Sequence, residues 1–245
     1  MKKSYIKKIE KSIQLAKQNN FFDHLYRIYD GIGQGTCTGC TKCCMESVHT
    51  HYIEFLNIVG YLKKNNALCK ELFPRIIKYY FLELVTKERC PFLNEQGLCL
   101  IYDVRPLVCR VFGHWTKEEY KQNYKNTLNE NIHIKKVFKN HYKIHLPKEV
   151  VEYRIPYCES FQVDQRIETH QRQSMTDAIF TMESRFFMGG LLEESDLNTG
   201  LVSWFVNLIL DKEKASELRI QIMKEYLENQ NSETLDEIIT KSYNA

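Results

Sequence analysis

The stretch Cys37-Thr38-Gly39-Cys40-Thr41-Lys42-Cys43-Cys44 decides how the rest of this chain is read. Thiolates are soft ligands, and three of them separated by two intervening residues can face one metal or iron–sulfur centre from a single tight loop. Four thiols within eight residues are hard to explain as core packing, where cysteine acts as a small hydrophobe. Just upstream, Gly31, Gly33, Gly35 and Gly39 interrupt any periodicity, so the segment reads as an irregular loop. A phosphate-cradling reading of these glycines fails, because no strand precedes them and no Lys-Ser/Thr closes them.

Three more cysteines follow in Cys90-Pro91-Phe92-Leu93 and on through Cys99 to Cys109, and Cys158 stands in Pro156-Tyr157-Cys158. The region from Cys90 to Cys109 contains Pro91, Gly97 and Pro106 and reads as a second loop with short turns. Cys43 and Cys44 are adjacent and point apart on most backbones, so Cys44 is a candidate for a second centre. Eight cysteines (Cys37, Cys40, Cys43, Cys44, Cys90, Cys99, Cys109 and Cys158) divide into two four-ligand sites, and the sequence leaves their pairing open. Structural zinc sites favour paired C-x2-C knuckles, and the second region has none. The spacing therefore favours an iron–sulfur cluster, of the 4Fe-4S kind, with zinc as the alternative. Cys69 lies apart, between Leu68 and Leu72 of a predicted helix, and reads as core.

Outward from the loops, the pattern is helical. Ile6, Ile9, Ile13 and Ala16 mark an amphipathic opening helix, and Phe21 to Tyr29 a second, short one. Thr50 is the expected N-cap of a helix to about Leu62, and Leu68 to about Lys87 is helical, with Pro74 at a start or a kink. Thr116 to Glu119 forms a capping box opening a helix, and Leu128 to Tyr142 predicts another. Val150 to Ile155 reads as a short strand or extended segment. After residue 164, Met175, Ile179 and Met182, then Trp204 to Ile209, then Ala215 to Tyr226 read as bundle helices, with Ser232 capping the last. The expected fold is mainly α, a helical domain whose two cysteine-rich loops converge on a metal or iron–sulfur site. The expected division is a cysteine-cluster domain over 1–163 and a helical region over 164–245 packed on it.

The whole chain sets the bounds. With 245 residues, 43% hydrophobic and 27% charged, it has the composition of a globular domain large enough to bury a core without covalent staples. A net charge of +3 is too small to argue for nucleic acid or a membrane surface as partner. Met1 to Lys17 lacks the unbroken apolar run of a signal peptide, so the expected location is cytoplasmic, where thiols stay reduced. Nine cysteines, an odd number, also fit a complete disulfide framework poorly.

Arg105 and Arg110 flank Cys109 and are candidates to sit beside a centre, offsetting thiolate charge or holding a carboxylate, with a structural ion pair as the plainer reading. His114 could complete a metal site, but a hydrogen-bonded histidine is the better reading, and His49 and His51 read as polar residues at the start of a helix.

These segments resemble the YkgJ-like family of cysteine-cluster proteins, described as zinc- or iron-chelating domains. The likeness rests on Cys37 to Cys44 and on Cys90 to Phe112, where the cysteines, Arg105-Pro106 and Arg110 fall in place. It implies a metal-binding protein, with Cys158 resembling a further ligand of longer members. A related cysteine pattern occurs in flagellin lysine N-methylases, so the resemblance also permits a protein-methylating role. Expected partners are a protein substrate or a redox partner; a structural zinc module for protein contacts is the third reading.

Overall fold

The computed structural model describes residues 3–33, 35–197 and 199–243, and these hold eleven α-helices and one two-stranded sheet. The chain opens with α1 (Lys3–Gln18) and α2 (Phe21–Asp30), which turn on Asn20 in the left-handed region (φ 55°). The first cysteine loop follows and leads into α3 (Tyr52–Lys63) and α4 (Asn66–Leu82). The second cysteine region ends in the short α5 (Leu107–Val111), and α6 (Lys117–Val137) runs on as the longest helix. A π turn (Phe138–Tyr142) and α7 (Lys148–Val151) return the chain to Cys158. The remainder is α8 (Thr169–Met188), α9 (Leu201–Val206), α10 (Lys212–Asn229) and α11 (Glu233–Tyr243).

The helix α3 is buried nearly all round, which its sequence Tyr52-Ile53-Glu54-Phe55-Leu56-Asn57-Ile58-Val59 dictates. Around it, α1, α2, α4 and α8 pack, and α9, α10 and α11 cover α4. Trp204 of α9 stacks on Phe55 (5.4 Å between ring centres) and leans on Tyr52 (5.0 Å), while its indole N–H donates to the Thr50 carbonyl at 3.2 Å. Phe186 meets Tyr52 edge-on at 5.3 Å. Each such ring pair adds about 0.5–1.5 kcal/mol beyond area burial. One apolar cluster runs from Ile9 to Leu235, so residues on both sides of position 163 share a core.

The helix ends follow local rules, with instructive departures. The Thr116 capping box is present: its hydroxyl accepts the Glu119 amide at 3.2 Å and Glu119 accepts the Thr116 amide at 2.8 Å. Ser232 caps α11 by accepting the Leu235 amide at 3.1 Å. At α3 the cap is His51, not Thr50, because Thr50 is tied sideways, its amide donating to Thr199 and its carbonyl accepting Trp204. The helix α6 is continuous, without a break near Leu128, since half-buried Tyr124, Leu128 and Ile134 continue one seam. Of the stretch Val150 to Ile155 expected to be extended, Val150 and Val151 instead end α7, whose N-cap is Pro147, and Tyr153 to Ile155 lie outside any helix or named strand. Pro74 lies inside α4, not at its start.

The helix α8 is latched to α3 by charge. Buried Glu183 accepts the Ile53 amide at 3.1 Å and meets His51 Nδ1 at 3.2 Å. Burial alone would push the His51 imidazole down; the Glu183 hydrogen bond and the Glu183 and Glu54 charges outweigh it and hold the pKa above its ordinary value. The latch is then fully present below about pH 6.5, the unfolded value, and is lost as pH rises through the raised folded value. Denaturant titrations on the two sides of that window should show stability falling with pH, and a His51→Gln variant should show a shallower fall.

Candidate metal centre

The first loop is held in a strained turn. Thr41, a β-branched residue, sits in the left-handed region (φ 58°), a conformation that costs about 1–3 kcal/mol and is stored where the surroundings enforce it. The Cys44 amide donates to the Thr41 carbonyl at 2.9 Å, closing the turn around Lys42 and Cys43. Cys43 and Cys44 Sγ are 4.0 Å apart.

The second region is a hairpin-like loop. Leu93 and Cys99 form a bridge, the Asn94 side chain accepts the Leu98 amide at 2.8 Å, and Gly97 takes φ +79°, which only glycine adopts freely. Cys90 and Cys99 thus stand at the loop's base, against the core. Cys109 follows on α5, whose first residue is fixed from below: buried Glu54 Oε1 accepts the Leu107 amide at 2.6 Å and the Tyr29 hydroxyl at 2.7 Å. Arg110 donates to the carbonyls of Asp103 and Arg105 and lies over the Tyr29 ring (4.0 Å), so its guanidinium holds this turn together.

Separate links join the cysteine segments. The Cys90 amide donates to the Cys44 carbonyl at 2.9 Å, and Lys87 pairs with Glu46 at 3.1 Å. A side chain on Gly97 would press within 3.0 Å of the Thr41 methyl. The segment after Cys158 is sewn to the first loop by the antiparallel pair β1 (Gly35–Thr36) and β2 (Gln162–Val163). Thr38 donates to the Ser160 hydroxyl at 3.0 Å, and that hydroxyl lies 3.9 Å from Cys40 Sγ. Phe161 is wedged between two glycines: a Cβ on Gly35 would fall 2.1 Å, and one on Gly113 2.3 Å, from its ring. Gly113→Ala is expected to cost about 1–3 kcal/mol as an overpacked seam. Gly60→Ala, in α3 with nothing within 4 Å of the added methyl, should instead stabilise by about 0.5–1 kcal/mol. Urea titration of the two variants reads both signs.

The thiols sense one another across these links. Cys109 is exposed as a residue, but the protein atoms crowded around its sulfur push the thiol up, and Cys90, Cys99 and Cys43 push it further. Cys90 is pushed up to about 12, first by burial and then, against the help of the Phe92 amide, by Cys99. Cys43 rises through its contact with Cys44, then burial and Cys40; Cys158 rises through burial and then Cys43. Cys99 rises through burial and senses Cys37, while the Arg105 charge pulls it down. Exposed Cys40 is lowered, chiefly by the Lys42 amide. A set of thiolates that repel one another is stable only with positive charge among them, and a coordinated metal supplies it by deprotonating its ligands outright. Cys69 is raised by burial alone and stands outside this network.

Among the described residues, no three cysteine, histidine, aspartate or glutamate side chains already stand together as a finished metal-ligand set. The chemistry of the donors nonetheless fits a thiolate-bound centre, and so does Arg105. Its guanidinium stacks on Tyr102 (3.6 Å), its buried Nε has no hydrogen-bond partner, and its charge pulls the Cys99 thiol down. His114 is buried, accepts the Ile167 amide through Nδ1 at 3.2 Å and meets Phe161 edge-on at 4.9 Å. Glu54, Ser160 and Phe161 were not singled out in the sequence. Glu54 had a signal, as the single acid in an apolar helix; Phe161 had none.

Residues 36–128 match the family model CxxCxxCC, described as "Putative zinc- or iron-chelating domain". The likeness to that family lies in this segment, which is less than half of the chain. The matched segment contains both cysteine loops, α3, α4 and α5 and the first half of α6, and leaves Cys158 and α7 to α11 outside it. No curated protein and no solved structure matched the chain. Among the described residues, no helix is long and apolar enough to cross a membrane.

Proposed function

We propose that this protein holds one or two iron–sulfur centres, the 4Fe-4S type being favoured, on the cysteines of its two loops together with Cys158. The observation that carries the reading is the joining of the cysteine segments: the Cys90 amide donates to the Cys44 carbonyl at 2.9 Å, and the strand pair Gly35–Thr36 with Gln162–Val163 lays the segment after Cys158 along the first loop. The C-x2-C-x2-C spacing of Cys37, Cys40 and Cys43, with no matching knuckle in the second region, supports iron–sulfur over zinc. Cys44 and the later cysteines would complete the ligand set, with the exposed Cys37 and Cys40 closing onto the centre. When bound, such a centre supplies one-electron chemistry. The protein's own part is to fix the ligands: Glu54 anchors the start of α5, Arg110 ties its turn, and the Arg105 charge acts on Cys99.

Anaerobic purification followed by iron, zinc and acid-labile sulfide analysis tests the reading. Iron with matching sulfide and broad visible absorption is the expected result. Zinc without sulfide would overturn the iron–sulfur assignment and keep the chelating one; protein free of both metals would overturn both.

A further inference from the structure

The net charge of +3 conceals an uneven distribution. Between Asn131 and Lys148 stand five lysines (Lys135, Lys136, Lys139, Lys143 and Lys148), three histidines and no acidic residue, so the rest of the chain is slightly acidic on balance. All eight of these basic side chains are exposed. They occupy the end of α6, the π turn and the segment before α7. After Tyr120 no residue of α6 is fully buried; the helix lies on the body through a half-buried seam that includes Tyr124, Leu128, Ile134 and Val137. The seam continues into Phe138 of the π turn. Beside that seam, Lys135, Lys136, Lys139 and Lys143 follow one another within nine residues, all exposed, as one basic stretch along the end of α6 and the π turn. Lys148 is paired with Glu152 at 3.6 Å, and Glu130 and Glu149 bound the patch, leaving its middle uncompensated by acids of its own segment.

Two features say what such a stretch suits. The cations are all lysine, with no arginine from Val111 to Tyr153. Lysine is a hydrated point charge, whereas bidentate capture of individual phosphates or carboxylates uses the planar fork of arginine. Exposed Ile132 and Tyr142, each 41% accessible, bracket the lysines, and an apolar group beside an amphipathic aromatic is the composition of a helix face that rests in a lipid headgroup layer. A protein partner would instead be anchored by buried aromatic or arginine side chains, which this stretch does not offer.

We infer that this basic face, formed by the end of α6 and the π turn, docks on an anionic phospholipid surface, laying the helix flat without crossing the bilayer. Each lysine near such a surface strengthens partitioning by about fivefold. The test is co-sedimentation of the full-length protein with vesicles of phosphatidylcholine alone and of phosphatidylcholine with one-third phosphatidylglycerol. The inference requires binding to the anionic vesicles only, and its loss in about 1 M salt, where the screening length falls to about 3 Å. Replacing Lys135, Lys136, Lys139 and Lys143 together with glutamine should weaken that binding by several hundredfold. These four sites are exposed, so an unchanged helical signal and melting temperature establish that the variant is folded. Equal binding by the variant, indifference to lipid charge, or binding to a homopolymeric RNA with none to vesicles would each overturn the inference.

Discussion

Glu54→Ala is expected to destabilise the protein by about 3–5 kcal/mol, the largest single effect among the polar substitutions considered. The carboxylate is 1% exposed and accepts from three donors: the Tyr29 hydroxyl at 2.7 Å, the Leu107 amide at 2.6 Å and the His51 amide at 3.2 Å. Burial pushes its pKa up, against the opposing pull of His51 and of those three donors. Removing it leaves the donors unpaired in a site that water does not readily reach. Glu54→Gln keeps one acceptor oxygen for Tyr29 and Leu107 and abolishes the charge, so it should cost distinctly less, about 1–2 kcal/mol. Thermal denaturation should separate the two, with a fall on the order of 10 °C for the alanine variant. A melting temperature unchanged in Glu54→Ala would contradict the role assigned to this carboxylate. Because Leu107 opens the helix that carries Cys109, the glutamine variant is the one in which to look for a change in metal content without general unfolding.

The second large effect concerns the ligands. Cys40→Ser and Cys109→Ser should each lower bound metal by tenfold or more, since second-shell changes alone alter affinity by about 10–100-fold and a lost thiolate removes a bond outright. Cys69→Ser should leave metal content as it was, because that thiol is raised by burial alone and takes no part in the sulfur network. The comparison is made on protein purified anaerobically, with metal counted per folded chain. Equal loss in all three variants would point to a folding defect; no loss in the first two would remove those residues from the ligand set.

Much of this arrangement could be read from local sequence. The Thr116 to Glu119 capping box, the Ser232 cap and the apolar spacing of α1, α2 and α3 involve residues a few positions apart, and the helices formed where those rules placed them. The failures came where distant parts of the chain overrule a local preference. Thr50 yields the cap of α3 to His51 because Thr199 and Trp204 engage its backbone. The continuity of α6 past Leu128 depends on a seam against the body that local polarity hides. The site divides in the same way. The cysteines announce themselves through spacing, whereas the hydrogen bond from Cys90 to Cys44, the Glu54 anchor under Leu107 and the Phe161 wedge between Gly35 and Gly113 join residues far apart. No pattern in a single sequence encodes those contacts.

The claim on which the rest depends is that the thiols of both loops and Cys158 grip one or two inorganic centres while Cys69 does not. Alkylation of anaerobically purified protein, mapped cysteine by cysteine by mass spectrometry before and after metal removal, tests it most directly. The account predicts that Cys37, Cys40, Cys43, Cys44, Cys90, Cys99, Cys109 and Cys158 are protected until metal is stripped, exposed Cys37, Cys40 and Cys109 included, and that Cys69 reacts equally in both states. Rapid modification of Cys37 and Cys40 in the metal-loaded protein, with no gain at the other loop cysteines on stripping, would contradict it.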